Sequence, residues 1–339
     1  MSVDGKAGQP PTLEMVAAAA GVSRATVSRV VNGSPKVSPE VVAVVNSAIA
    51  QLDYVPNRSA RSLASRRTDV IALLVPESTS TVFADPFFAA IVRGVSRALS
   101  ETEYTLNLLI ASELRAEKTR RYLLGGNVDG ALIVSHHSGD HSYVHLGSNL
   151  PIVFGGRPIT PDADDAYYVD VDNRASARLA TEHLIGLGRR NIATIAGRQD
   201  MNAGLDRLAG WRESIATIGG DPELVEFGDF SQESGARAME RLLERGVPID
   251  GVFVANDQMA AAAMSVLHGR GLRVPDDVAL VGYDDDAFAV MMSPPLTTVH
   301  QPTADLGASM ADVLVRRIAG DHVPHRTLIP THLVVRASA

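Results

Sequence analysis

Apolar residues recur along this chain at two different periods, and the change from one to the other divides it. From Thr12 to Leu52 the spacing is helical. In TLEMVAAAAGVSRATVSRVVN, Thr12 is placed to cap a first helix by accepting from free backbone N–H groups, with Glu14 favoured in its first turn by the helix dipole. That helix is predicted to end near Ala20. Gly21 follows where a left-handed turn residue is needed, and Ser23 caps a second helix predicted over Arg24 to Val31. Ala17, Val22, Val27 and Val30 then face inward, leaving Ser23, Arg24, Ala25, Thr26, Ser28 and Arg29 on the outer face. Ser38 and Pro39 start a third helix, which Val41, Val42, Val45, Ile49 and Leu52 carry to its end. The spacing describes a helix-turn-helix, whose second helix presents its N-terminal end to a DNA groove. A three-helix domain with no nucleic-acid partner would show the same spacing.

From Asp69 the pattern becomes short apolar runs separated by amphipathic segments. Strands are predicted at 70–75, 105–110, 130–134, 152–154, 167–171, 192–197, 225–227, 251–257 and 278–285, with helices such as Phe87 to Leu99, Arg174 to Leu187 and Leu205 to Ile218 between them. Strands alternating with helices imply parallel sheets covered on both faces. Nine strands exceed one compact half, so an early and a late group predict two similar lobes. Ligands settle at the carboxyl ends of such strands, which puts the expected site in the cleft between the lobes.

Between these parts lies NRSARSLASRR, which is short, basic and polar except for Leu63, and Pro56 stops the helix before it. Composition alone makes it a linker. The expected organisation is a disordered tail over 1–11, a helix-turn-helix domain over 12–55, a hinge or linker over 56–68 and a two-lobed body over 69–339.

Charge sharpens this division. Residues 1–67 carry eight Lys/Arg against four Asp/Glu, a balance of +4, so the remainder holds −12 of the overall −8. A basic head on an acidic body approaches phosphates while the body stays off the polyanion. The chain has no cysteine, which removes disulfide and thiolate chemistry. Its first eleven residues lack the apolar core of a secretion signal, and no apolar run reaches the roughly 20 residues that span a bilayer, so a cytoplasmic protein is expected.

The wording AGVSRATVSRVVNG with VSPEVVAVVNSAIAQLDYVPNRSARSLASRRT resembles the DNA-binding domain of the LacI/GalR regulator family. DPFFAAIVRGV, NVDGALIV, RLAGW, VFVANDQMA, LRVPDDVALVGYDDDAFA and PPLTTVHQPTADLG extend the resemblance over nearly the whole chain, and with it to periplasmic sugar-binding proteins. The resemblance implies an all-α helix-turn-helix head and an α/β two-lobed body, with crossings between lobes near residues 171, 299 and 330. The first lobe would then take about 69–171 and 300–329, and the second about 172–299 and 330–339. It further implies that residues 56–68 form a hinge helix on operator DNA, with Leu63 as the wedge between base pairs of the minor groove and Asn57, Arg58 and Arg61 serving phosphates or the groove. Within the family, PTLEMVA, FADPFF, VFGGRP, IAGRQDM and GDFS are most similar to cellobiose-responsive repressors of cellulose or β-glucoside use.

Candidate chemistry follows residue by residue. Arg24, Ala25 and Arg29 match base-reading positions, where an arginine bonds two acceptors of one guanine; a phosphate contact by either arginine is the plainer alternative. Thr12, Ser23, Thr26, Ser28 and Asn32 are candidate phosphate partners. Arg207, Asn256, Asp284 and Gln301 match the family's polar ligand positions, and each can bond neighbouring sugar hydroxyls. Phe230 is placed to stack on the sugar, with Phe87 or Phe88 on the opposite wall and Arg157, after a first-lobe strand, reaching the cleft; a core role competes for all three aromatics. Trp211, four residues after Arg207, is read as packed.

Asp284, Asp285 and Asp286 lack the alternating loop of a metal site, and a hydroxyl-bonding carboxylate with solvated neighbours is simpler. For His136, His137, His141 and His145, a surface loop and helix start is simpler than zinc, because Ser138-Gly139-Asp140 breaks the helical spacing. No phosphate-binding GxxxxGK, G-x-S-x-G or HExxH motif occurs, so no cofactor, metal or enzymatic activity is expected. The expectation is a homodimeric repressor of operator DNA controlled by a small sugar, cellobiose or a related β-glucoside; no leucine heptads follow Arg336 to build a tetramer. Another sugar effector, a transport receptor carrying an extra head, or a sugar-modifying enzyme are the competing classes.

Overall fold

The computed structural model describes residues 11–31, 33–55, 67–111, 116–139, 146, 150–159 and 165–339. They divide into two compact units, Met1–Thr68 and Asp69–Ala339. In the first, helices α1 (Leu13–Ala20), α2 (Arg24–Val31) and α3 (Pro39–Leu52) enclose Val16, Ala17, Ala20, Val27, Val45, Ala48 and Tyr54. Thr12 Oγ1 accepts from the Met15 N–H at 3.3 Å and caps α1. Gly21 takes the left-handed turn at φ 64°, and Ser23 Oγ accepts from the Thr26 N–H at 3.1 Å. Ser38 precedes α3 with extended backbone but makes no side-chain cap; the proline after it supplies the preorganised first turn. Tyr54 is a core residue of this unit, because the chain reverses at Asp53 (φ 50°) and folds it back against the helices.

The second unit holds two six-stranded sheets. The first runs β2 (Thr105–Ile110), β1 (Val70–Val75), β3 (Gly130–Val134), β4 (Ile152–Gly155), β5 (Tyr168–Val171) and β11 (Arg326–Ile329), all parallel. The other runs β7 (Val225–Phe227), β6 (Ile192–Ala196), β8 (Gly251–Val254), β9 (Ala279–Asp284), β10 (Thr297–His300) and β12 (His332–Val334), with only β12 antiparallel. Three strands beyond the nine expected are therefore β10, β11 and β12. TTVH, RTLI and HLV are short and alternate or mix polar residues, so hydrophobic runs alone do not mark them.

The central strands are buried on both faces, as helix-covered parallel strands are. Ile71, Leu73 and Val75 of β1 pack into one core, while Val70, Ala72 and Leu74 pack into the opposite one. In the second sheet Val252 and Val254 face one core and Phe253 the other. Helices α4 (Thr79–Ala84), α5 (Pro86–Leu99), α6 (Ala116–Leu124) and α11 (Thr303–Ala319) belong with the first sheet. The second is covered by α7 (Asn173–Gly186), α8 (Asn202–Ala216), α9 (Gln232–Glu244) and α10 (Asp257–Gly269). The chain passes between the sheets after β5, after β10 and between β11 and β12. Among the described residues, no helix is long and apolar enough to cross a membrane.

Candidate functional site

In the first unit, α2 buries Val27 and turns Ser23, Arg24, Ala25 and Arg29 to solvent, with Thr26 and Ser28 half-buried beside them. Ser23 and Thr26 are joined hydroxyl to hydroxyl at 2.9 Å. Arg24 Nε lies 3.1 Å from Glu14, and both side chains are exposed. An exposed pair of this kind is screened by solvent and contributes little, so the guanidinium is free to exchange Glu14 for another anionic or acceptor group. Asn32, Asn57, Arg58, Arg61 and Leu63 lie outside the described residues.

In the second unit, the carboxyl ends of nine strands from both sheets surround a cavity of about 670 Å³. The first sheet brings Glu77 after β1, Ser135 and His136 after β3, Arg157 after β4, and Asp170 with Asn173 at the end of β5. From the second come Arg198 and Asn202 after β6, Phe230 after β7, Asn256 after β8, Asp284 ending β9 and Gln301 after β10. Phe87, Phe88, Arg157, Arg207, Phe230, Asn256, Asp284 and Gln301 all line this one cavity.

Arg207 is its polar centre. The side chain is buried and its guanidinium donates to Asn173 Oδ1 (2.9 Å), the Ala255 carbonyl (2.6 Å) and Gln301 Oε1 (3.1 Å). It also lies over the Tyr283 ring at 3.5 Å and 3.7 Å from Asp284. Asn173 and Gln301 stand on two of the three chain crossings, so Arg207 of the second lobe grips both. Burial drives the Asp284 carboxyl well above the usual carboxylate range, against the opposing charge of Arg207. A buried carboxyl with one cation beside it can accept from or donate to a sugar hydroxyl.

Asn256 caps α10: its Oδ1 accepts from the Met259 N–H (3.0 Å) and its Nδ2 donates to the Phe230 carbonyl (2.9 Å). The bond holds Phe230 in its left-handed backbone conformation, φ 73°. The Phe230 ring then lies on Gly197, where any Cβ would stand 2.2 Å from its Cζ. Phe88 is buried in the first-lobe core and Phe87 half-buried against it, ring edge to ring face at 5.3 Å. The aromatics thus serve core and cavity at once. Trp211 is fully buried.

Two expectations need correction. The neighbours of Asp284 are not solvated: Asp285 pairs with Arg336 (2.6 Å) and His300 (2.9 Å), and Asp286 is pushed up to about 7, chiefly by burial. The strand end carries them into the protein rather than out of it. His136 and His137 are not on a surface loop either. Both are buried at the end of β3, and His137 stands 2.8 Å from Glu77 and 3.2 Å from Asp200. His141 and His145 lie outside the described residues. Among the described residues no three His, Asp or Glu side chains are grouped as a metal site would require.

Asp85, Asn173, Glu77, Arg198, Asn202, Gln232 and Gln258 also line the cavity without having been singled out from the sequence. A strand-end signal exists for Arg198, which directly follows an apolar run, and for Asn173, two residues after one; Gln232 and Gln258 sit in first helical turns and carry none.

A model of bacterial regulatory proteins of the lacI family matches residues 12–57, and one of periplasmic binding protein-like domains matches residues 181–339. The chain is 49% identical over 333 residues to the HTH-type transcriptional regulator CelR of Thermobifida fusca, covering 97% of this chain and 98% of that one. A solved structure of a transcriptional regulator CelR-cellobiose complex matches with 48% identity and a TM-score of 0.78, over 97% of this chain and 100% of that one. The lac repressor dimer bound to operator and the anti-inducer ONPF matches with 31% identity and a TM-score of 0.87, over 97% and 99%.

Proposed function

This chain belongs to the LacI family of bacterial regulators, and from that membership we propose that it is a homodimeric transcriptional repressor released from its operator by cellobiose or a related β-linked glucose disaccharide. The observation that carries the effector is the cavity itself. About 670 Å³ walled by Arg207, Asp284, Asn256 and Gln301 on one side and by aromatic rings on others suits a ligand with many hydroxyls and flat apolar ring faces. The likeness to a cellobiose-bound regulator over nearly the full chain supports a β-glucoside.

Arg24 and Arg29 read base edges in the major groove, Ala25 offers its methyl group, and Thr12, Ser23, Thr26, Ser28 and Asn32 hold phosphates. Asn57, Arg58 and Arg61 serve the hinge, and Leu63 wedges the minor groove. The sugar favours one arrangement of the lobes, which shifts the spacing of the two hinges in the dimer and weakens operator binding. The shift is limited by the sugar's preference for that arrangement. The protein works in the cytoplasm and leaves its sugar chemically unchanged.

The test is a mobility shift on a near-palindromic operator, followed by calorimetry against a sugar panel. The expected result is tight binding that cellobiose abolishes, with no hydrolysis after long incubation. Operator binding indifferent to every disaccharide would overturn the effector assignment, and release by a monosaccharide would replace it.

A further inference from the structure

Of the two buried histidines at the end of β3, His136 lines the cavity, whereas His137 spans the cleft between the lobes. His137 belongs to the first lobe, as does Glu77 after β1, whereas Asp200 belongs to the second lobe, between β6 and α8. One ring nitrogen, Nε2, stands 2.8 Å from Glu77 Oε1, and the other, Nδ1, 3.2 Å from Asp200 Oδ2. The Ser138 N–H donates to the Asp200 carbonyl across the same gap at 2.8 Å.

Both carboxylates are held ionised by other donors. Glu77 Oε1 also accepts from Ser135 Oγ at 2.7 Å, and Asp200 accepts from Arg198 at 2.9 and 2.6 Å. A neutral imidazole has one N–H and one lone pair, so it can satisfy one carboxylate and must turn the lone pair on the other. Only the doubly protonated ring donates to both. Separating the lobes removes Asp200 and leaves Glu77, so the open arrangement asks for one donor and the closed one for two.

We propose that His137 is a proton-dependent latch between the lobes, so that binding of the effector that closes the cleft takes up a proton and weakens as pH rises. Among the described residues, Glu77 and Asp200 face the ring with negative charge and Arg198 with positive charge. Burial disfavours the imidazolium, but the bond to Glu77 and the nearby Glu77 and Asp200 charges outweigh it and the opposing Arg198, raising the His137 pKa above its ordinary 6.5. Glu77 is lowered: its burial is outweighed by His137 and Ser135. Asp200 is lowered chiefly by its bond to Arg198. Asp85 faces Glu77 and Asp229 faces Arg198, adding negative charge behind the pair. Glu77 raises the ring in both arrangements, and Arg198 arrives with Asp200 already bound to it; the second acceptor for a ring N–H is present only in the closed arrangement, so the latch is fully engaged below the open-state value and is lost as pH climbs through the closed-state one.

The inference rests on the sugar-responsive reading, and its experiment separates the two. Calorimetry of the full chain with cellobiose, in buffers of different ionisation enthalpy near about pH 7, is expected to show net proton uptake. Affinity is expected to be roughly threefold or more weaker at about pH 8.5 than at about pH 6. His137→Gln keeps side-chain donors without the charge, and is expected to abolish uptake and flatten the profile while still binding the sugar. Uptake unchanged in His137→Gln, or none in the parent protein although cellobiose binds, would overturn the latch.

Should no sugar bind, the effector reading fails and the latch is read directly. The chain has no cysteine, so Glu101→Cys and Glu244→Cys place one exposed label on each lobe. The population with the shorter label distance is expected to fall with rising pH in the parent and not in His137→Gln; a distance insensitive to pH would sink the proposal.

Discussion

In the proposed sugar site, Arg207 and Asp284 are the polar groups on which binding is expected to turn. Asp284→Asn keeps the shape but replaces the carboxyl beside Arg207 by an amide, and is expected to weaken cellobiose binding by about 2 kcal/mol, some thirtyfold, with the melting temperature little changed; calorimetry and a thermal melt check both halves. Arg207→Ala removes three hydrogen bonds and leaves Asp284 buried without its cation, so it is expected to cost roughly 3–5 kcal/mol of stability as well as binding. Gly197→Ala tests the aromatic wall. A Cβ there meets the Phe230 ring at 2.2 Å, so the ring must leave its place, and sugar affinity is expected to drop while operator affinity holds. The candidate polar residues were legible because their words are family wording, RLAGW inside α8 and VAND, GYDD and VHQP at strand ends. That Asn256 spends its amide on a helix cap and on Phe230 was not, since both partners are set by tertiary neighbours.

The secondary elements follow local chemistry wherever a cap or a turn residue is strong. Thr12, Gly21 and Ser23 set the limits of α1 and α2, as the sequence pattern predicts. Replacing Ser23 by Ala removes the acceptor for the Thr26 N–H. A loss of about 1 kcal/mol from the first unit is expected, together with weaker operator binding, read in a melt of the full chain and a mobility shift. Elsewhere the limits move: Asn173–Gly186 starts one residue early, directly behind Asp172, which caps it by accepting from the Ala175 N–H at 2.9 Å, and Asn202–Ala216 starts three residues before Leu205. Met201 gives α8 no side-chain cap to read. The strands β10, β11 and β12 are defined by partners far away in the chain, and their own residues do not announce them.

For the whole molecule, the charge division and the two-lobed body bear on separate steps. Operator affinity is expected to fall steeply with salt, with a log–log slope of roughly −0.9 per phosphate neutralised, and Arg29→Ala is expected to lower that slope or relax one base preference according to which contact Arg29 makes. Elsewhere across the cleft, Arg157 donates to Asp206 at 2.7 Å and its carbonyl accepts from Asn202 at 2.8 Å. Arg157→Ala is expected to weaken cellobiose binding severalfold without changing its pH dependence, because an arginine stays charged throughout. A pH profile flattened to the same degree as in His137→Gln would show that loosening any contact across the cleft is enough.

Local pattern determined the helix-turn-helix, the alternation that makes parallel sheets, and the strand ends where a ligand must sit, because periodicity, caps and strand polarity act over a few neighbouring residues. Tertiary structure alone decided which side chains meet across the cleft. Glu77, His137 and Asp200 are separated by about sixty residues each and come together only when the sheets face one another. It also turned Asp285, Asp286 and His136 inward. A sequence shows which groups can ionise or bond, whereas burial and distance, which set whether they do, exist only once the chain has closed on itself.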